Sequence, residues 1–463
     1  MTYKVVRRAL CGVALKDNFI KALDSDDKGI HIIKAQTGIG KTNLYLSYMK
    51  NTDRNFIIAV PTHSLKTEIY NKAKAMGITN VAYTPELPVF SDDLQEKINH
   101  TYDIGAGQYT IGMLRKTVHN IGKNDSDYMP LSMYIDELDR LKKFDGHIIT
   151  THERLMLMRG NNALLKNRDV IIDEDILRTM LSTHTVSNND IFDAIQSGLF
   201  TGKAASRLRE IISHEGYQRY DYDAENKIYA DDELLCKLEN TSGNILDLVE
   251  SCYVIRDKNT TTFLKRKWLP CDKVIVMSAT SNPDVYRMLT GYDVHCYKCR
   301  EAEYMGKVKL YSKHSFSRYS LDNQEGVIDY IKRLAGDDTV ITFRKYESCF
   351  NTSYHYGAVE GLNCLEGKNI SVIGLPNIND FVYKLYGMAA GLNPDNCNMR
   401  PMRTEYNGYS FEINTFDSPK LRTIHLWMLE SLIEQAVGRA RLLRNNCTVK
   451  VFARFPVNQA IVE

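Results

Sequence analysis

AQTGIGKT, residues 35–42, follows the apolar run GIHIIKA and leads into TNLYLSYMK. A strand, a glycine-rich turn and a helix, in that order, are what a phosphate-binding loop requires. Gly38 and Gly40 let backbone N–H groups converge on phosphate oxygens with no Cβ in the way. Lys41 would reach the β- and γ-phosphates of a nucleoside triphosphate, and Thr42 would offer its hydroxyl to Mg2+. Gln36, Thr37 and Ile39 complete the cradle, which opens on Ala35 in place of the usual glycine. The reading is an α/β chain that binds a nucleotide.

With 463 residues the chain is too long for one core, and two or three domains are expected. Apolar content of 43% and charged content of 25% are those of a globular protein, and no apolar stretch is long enough to span a bilayer. The N-terminus MTYKVVRRALCGVALK has no signal-peptide core. Ten scattered cysteines without framework spacing point to reduced thiols and a cytoplasmic setting. The net charge of +2 gives no global basic field, so any surface for nucleic acid must be local.

A phosphate loop needs a carboxylate on a neighbouring strand. In LSMYIDELDRLKKF, Leu131, Ile135, Leu138 and Leu141 fall at spacings of three and four, so YIDELD reads as a helix face. VIIDEDI at 170–176 instead begins with a β-branched run typical of a central parallel strand. Asp173 and Glu174 then lie at its C-terminal end, where open α/β sheets bind ligands. Asp173 is assigned to Mg2+, through water, and Glu174 to activation of the attacking water.

Further blocks follow in order: AVPTHSLKTE (59–68), HIITTHERL (147–155), KVIVMSAT (273–280), TVITF (339–343), GAVEGLNCLEGKNISVIGLPN (357–377) and LIEQAVGRARLLR (432–444). Together with the phosphate loop and VIIDEDI they resemble the helicase motifs of superfamily 2. HIITTHERLMLM before the acidic motif, the insertion at about 177–268 and VMSATSNPDVYRMLTG resemble the XPD/DinG branch. The acidic motif departs from that family, because Asp175 and Ile176 replace the last two positions of DEAH. The four cysteines of the iron–sulfur helicases have no counterpart between residues 69 and 169.

The resemblance implies two RecA-like parallel-sheet domains, about 1–300 and 301–463, with ATP and Mg2+ between them. Largely helical insertions are expected at about 86–145 and 177–268, the latter with a hairpin near RYDYDAENKIYADD. A hairpin at about 391–420 carries an Asn407–Gly408 signal. Arg439 matches the first arginine of the last motif; the second family position is Leu442. On a helix, residues 439 and 441 point to different faces, so Arg441 is the second choice and Arg444 is read as a solvated or nucleic-acid-facing cation. Gln435, one turn before Arg439, is placed by the nucleotide. Gly361 and Asn363 match the fifth motif, where Asn363 replaces an aspartate and Glu360 could supply the charge. Ser278, Ala279 and Thr280 are expected to couple the nucleotide to the track.

Thr62, His63, Ser64, Thr150, Thr151 and His152 follow strand ends, and their hydroxyls and nearby N–H groups suit phosphate contacts without base reading. CYKCREAEYMGKVKLYSKHSFSRY at 296–319 mixes tyrosines with cations, a pattern able to stack bases. His295, Cys296 and Cys299 lack the distant second pair that a zinc site needs.

The leading expectation is a nucleic-acid-stimulated ATPase that moves on or unwinds nucleic acid. Single-stranded DNA is the first choice and RNA the variant. The alternatives are a duplex translocase or nucleoprotein remodeller and, last, an inactive nucleotide-gated scaffold. A monomer in a bacterial or phage-infected cell, working with replication or repair partners, completes the expectation, and ATP over GTP rests on the resemblance.

Overall fold

Isoleucine-rich strands build the first sheet. In chain order they are β1 (Gly29–Lys34), β2 (Asn55–Val60), β3 (Val81–Tyr83), β4 (His147–Thr151) and β5 (Arg168–Asp173). An interruption then contributes β6 (Leu181–Ser187), β7 (Gly216–Arg219), β8 (Tyr253–Arg256) and β9 (Thr260–Arg266), before β10 (Lys273–Ser278) and β11 (Val294–Lys298). The computed structural model describes residues 8–158, 162–221, 232–238, 241, 243–358 and 364–463.

Seven strands pair in parallel in the order β11-β1-β10-β5-β2-β4-β3. Both faces are covered, and the alternation along β2 shows how. Ile57 and Ala59 join one apolar cluster, while Phe56, Ile58 and Val60 join the other. A strand buried on both faces must be apolar where it is covered, and β2 is so from Phe56 to Val60. Met277 of β10 pairs with Ile33 of β1 and with Asp173 of β5. That register puts the ends of β1 and β5 one strand apart, roughly 10 Å.

A second parallel sheet holds β12 (Lys307–Tyr311), β13 (Thr339–Ile341), β14 (Ile370–Ile373), β17 (Thr448–Phe452) and β18 (Ala460–Val462). Between β14 and β17 the hairpin β15 (Met399–Tyr406) and β16 (Tyr409–Phe416) projects from it. The order is β13-β14-β17-β12-β18. Asn407 and Gly408 join the hairpin strands with φ of 50° and 81°, the positive values a two-residue hairpin turn demands. The fold is therefore α/β with two RecA-like parallel sheets.

The helix Pro419–Gly438 shows how the two halves are joined. It is apolar nearly all round, the mark of a helix with no solvent face. Leu426, Leu429, Ile433 and Ala436 enter the core of the second sheet. Leu421, Ile424, Trp427 and Met428 enter the cluster that contains Ile32, Ile57 and Val285 of the first. The Tyr386 hydroxyl also donates to the Leu181 carbonyl across the contact, at 2.6 Å.

The helix Tyr128–Lys143 buries Leu131, Ile135, Leu138 and Leu141, so YIDELD is a helix, as its periodicity requires. The segment 177–268 differs from expectation. Its helices accompany a four-stranded antiparallel sheet, β6-β9-β8-β7, that a largely helical reading missed. β6 and β9 pair across a wide sequence gap (Leu181 with Arg266), so no local pattern announces them. The hairpin expected near RYDYDAENKIYADD falls mostly outside the described residues. Among the described residues no helix is long and apolar enough to cross a membrane.

Candidate nucleotide site and the cavity beside it

The chain leaves β1 and turns at Gly38 and Gly40, with φ of 82° and 115°, before the helix Lys41–Lys50 begins. Only glycine adopts such values without strain, and the turn aims the helix's first N–H groups outward. Ala35 N–H donates to the Ser278 carbonyl at 3.0 Å, fixing the loop to β10. Lys41 Nζ donates to the Ala35 carbonyl at 3.1 Å. Burial lowers the Lys41 pKa, and the Asp173 and Glu174 carboxylates oppose that shift.

Thr42 Oγ1 donates to Asp173 Oδ2 at 3.3 Å, and the Tyr45 hydroxyl donates to the same oxygen at 3.0 Å. Burial raises the Asp173 pKa, with the Lys41 charge pulling the other way. This set of a threonine hydroxyl beside a carboxylate, under a loop of N–H donors, fits a hard cation carried by a triphosphate. Tyr45 was not anticipated. Its signal is its place one helical turn beyond Thr42, on the face turned to β5. Glu174 follows with φ of 76°, rare for a residue with a side chain, and its N–H donates to the Met277 carbonyl at 3.1 Å.

The second domain meets the loop directly. A Cβ built on Gly438 would lie 2.8 Å from Thr37 Cγ2. The helix stops at Gly438, Arg439 is its C-cap, and Arg441 takes φ of 55°. The expectation that helical faces separate residues 439 and 441 therefore fails, because the segment is a turn. Arg441 lies beside Gly38, its Cδ 4.0 Å from where a Cβ on that glycine would sit. Arg444, read as a solvated or nucleic-acid-facing cation, is exposed and donates from Nε to the Gly38 carbonyl at 3.2 Å. Arg439 is buried and Gln435 half-buried. Gln36 Oε1 accepts from Ala302 N–H at 3.0 Å, tying the loop to the segment between the sheets. Gly361, Asn363 and Glu360 lie outside the described residues.

Ser278 ends β10, and Ala279 and Thr280 follow it. Thr280 faces the second domain: its carbonyl accepts from Trp427 Nε1 at 3.0 Å, and its hydroxyl lies 3.4 Å from Ser431 Oγ.

The residues expected on a nucleic-acid path divide. Thr62 caps the helix His63–Ala75, accepting from Leu65 N–H at 3.2 Å, and His63 and Ser64 are exposed. Thr150, Thr151 and His152 are buried, which corrects their expected phosphate contacts. Thr150 pairs with the Thr84 hydroxyl at 3.1 Å, and Thr151 accepts from Arg154 N–H at 3.2 Å. His152 Nε2 bonds the Asp173 carbonyl at 3.0 Å, and burial lowers its pKa to about 4. Thr150 thus ties β4 to the residue after β3, and His152 ties the helix His152–Leu157 to the end of β5. Thr151 caps that helix and also lines a cavity between the two insertions. In the stretch 296–319, residues 296–298 and 307–311 are strand, and Tyr297 bonds His31 Nδ1 at 3.1 Å. Tyr319 is 78% exposed and remains open to contact.

The two insertions touch. Leu246 N–H donates to the Ile104 carbonyl at 3.2 Å, and a Cβ on Gly105 would lie 2.1 Å from Asn244 Oδ1. Between them, over His63 and Thr84 of the first domain, is a cavity of about 930 Å3. Tyr102, Tyr220 and Trp268 line it, with Arg154 and Arg266. Trp268 is 46% exposed, and the Arg266 guanidinium lies 5.1 Å from its ring centre.

Residues 16–157 match the family model described as DEAD/DEAH box helicase. In fold the chain is similar to Xpd4 of S. tokodaii, at 12% identity and a TM-score of 0.50, over 98% of this chain and 100% of that one. Two E. coli structures, of the DEAH/RHA helicase HrpB and the DExH-box NTPase HrpB, align at 10% and 12% identity. They cover 96% of this chain but 42% and 41% of their own length, with TM-scores of 0.34 and 0.33. No curated protein matches the sequence.

Proposed function

From the premise that this chain resembles the superfamily 2 helicases, and among them the XPD branch, we propose that it is an ATP-driven translocase or helicase acting on single-stranded DNA. One observation carries the reading. Arginines of the second domain reach the phosphate loop of the first, so the state of the γ-phosphate is felt by both domains at once.

The roles follow from positions. Backbone N–H groups of residues 38–42 and the Lys41 ammonium would hold the β- and γ-phosphates, with Ala35, Gln36, Thr37 and Ile39 shaping the loop. Thr42 and Asp173 would hold Mg2+, which when bound neutralises charge on the phosphates. Glu174, at the mouth of the site, would take the proton of the attacking water. Arg439 and Arg441 would meet charge that develops on the γ-phosphoryl oxygens, and Arg444 would hold the loop. Arg439 is buried in the contact between the domains, where a fixed charge acts with little screening. Thr280, bonded to Trp427 and near Ser431, would pass the change to the helix between the sheets.

A single strand as track is supported by the cavity between the insertions. Its aromatic rings, exposed Trp268 among them, suit stacking of unpaired bases. The lining is nearly charge-balanced: Lys265 pairs with Asp247, and Lys267 with Glu153 at 2.5 Å. A duplex, recognised chiefly through its phosphates, is the poorer fit.

Steady-state ATP hydrolysis with single-stranded DNA, duplex DNA and single-stranded RNA, at fixed low salt, tests the reading. Stimulation greatest with single-stranded DNA and lost in Glu174→Gln, with ATP still bound, is the expected result. Stimulation by duplex alone would make the protein a remodeller, and RNA alone would change the track. No hydrolysis under any condition would leave only the gated scaffold.

A further inference from the structure

Asp175 stands third in DEDI, where the resembling family carries alanine, and no step above uses it. Its carboxylate is partly buried and accepts three hydrogen bonds. Ser281 Oγ donates to Oδ2 at 2.5 Å, the Tyr286 hydroxyl to Oδ1 at 3.0 Å, and Leu177 N–H to Oδ1 at 2.9 Å. The Tyr286 oxygen in turn accepts from Ile176 N–H at 3.2 Å. Two side chains beyond β10 thus grip the backbone that follows Glu174.

That grip sits beside strain. Glu174 has a left-handed backbone, which a residue with a Cβ keeps only where its surroundings over-determine it. On one flank Thr42 and Tyr45 bond the Asp173 carboxylate; on the other, Ser281 and Tyr286 bond that of Asp175. Ser281 directly follows Thr280, which bonds Trp427 of the helix Pro419–Gly438, and Arg439 caps that helix. Whatever shifts the helix therefore pulls on the residue beside Ser281.

We propose that Asp175 is a positioning residue, which holds Glu174 in its left-handed conformation and makes that hold depend on the arginine-bearing helix of the second domain. The inference rests on the reading of Glu174 as the group that activates water. It also gives the departure from DEAH a purpose: an acceptor in place of a methyl group, facing two hydroxyl donors that need one.

The test compares wild type, Asp175→Asn and Ser281→Ala in steady-state ATP hydrolysis with and without single-stranded DNA, alongside ATP affinity and melting temperature. Asp175→Asn removes the charge and replaces one of the two acceptor oxygens, which take three hydrogen bonds, by an amide donor. It is expected to lower kcat about 30- to 100-fold, the scale of a misplaced catalytic group, with ATP affinity kept. Stimulation by DNA should fall towards none. Ser281→Ala, which removes one hydrogen bond, should lower kcat about fivefold in the same pattern. Where Asp175→Asn does not fold, Ser281→Ala decides. Turnover of both variants within twofold of wild type overturns the proposal. So does a fall in affinity and melting temperature that leaves DNA stimulation intact, since that is a purely structural role. A wild type that hydrolyses no ATP overturns the functional reading itself, and this inference with it.

Discussion

On one side of the contact between the domains, Tyr383, Tyr386, Ile424 and Trp427 share a single apolar cluster with Ile32, Ile57 and Val285. On the other side, Thr37 and Gly38 meet Gly438 and Arg444 at a close approach and one hydrogen bond. The first side is built like the inside of a domain, where separation would expose apolar surface to water. The second is smaller and more polar: Leu443 joins the first domain's apolar cluster beside Ile39, but Arg444 and Gly438 meet the loop through contacts that a nucleotide could replace. The difference teaches where motion is cheap: the polar side can open and close while the apolar side holds the domains together.

Two substitutions set the sides against each other most sharply. Arg439→Ala should cut turnover about a hundredfold or more, because that charge acts as the γ-phosphoryl group reacts, and ATP affinity should change little. Trp427→Ala should instead lower the unfolding free energy by about 3–5 kcal/mol, the range for emptying a buried tryptophan site. Turnover and denaturant unfolding of both variants check the contrast. If Arg439→Ala destabilises as much as Trp427→Ala, the two sides are not different in kind.

A smaller effect is expected at the closest approach. Gly438→Ala would bring a Cβ within 2.8 Å of Thr37 Cγ2 and hold the polar side apart. Turnover should fall about ten- to a hundredfold, with stability nearly unchanged. Adding Thr37→Ser, which removes that methyl group, should restore part of the loss. Absence of any rescue in hydrolysis assays would mean that the contact does not set the closed geometry.

The effect confined to acid conditions is a dependence of stability on pH. His152 is buried by the Asp173 carbonyl with a pKa near 4, against 6.5 for an unburied histidine. Below pH 6.5 the unfolded chain takes up a proton that the folded chain refuses. Stability is therefore complete above that pH and is lost as pH falls towards 4. At about 1.4 kcal/mol per pKa unit, the loss is about 3 kcal/mol from this residue. His152→Gln keeps a donor for the carbonyl and should remove that share, read from unfolding curves at several pH values. His425, also near 4, contributes its own loss in the same window and stays.

What the sequence discloses follows the same division. The phosphate loop, the β-branched run before Asp173 and the periodic helix over YIDELD are each local, with backbone and burial set by neighbours a few residues away. Side-chain direction is not local. Thr150 and Thr151 still belong to β4 and His152 opens the helix after it, and all three are buried, whereas Thr62, His63 and Ser64 come after β2 has ended at Val60. Arg441 and Arg444 depend on where the helix ends, and a left-handed residue at Arg441 breaks the count of helical faces. The sheet in the second insertion is hidden for a third reason, since β6 and β9, its first and last strands in the chain, pair only after the intervening chain has folded back.

The most direct measurement is displacement of streptavidin from end-biotinylated single-stranded DNA, with ATP, for the wild type and Lys41→Ala. ATP-dependent displacement from one end only, absent in Lys41→Ala, is predicted of a motor that closes on its nucleotide and moves along one strand. Hydrolysis stimulated by the DNA but with no displacement from either end would contradict the account.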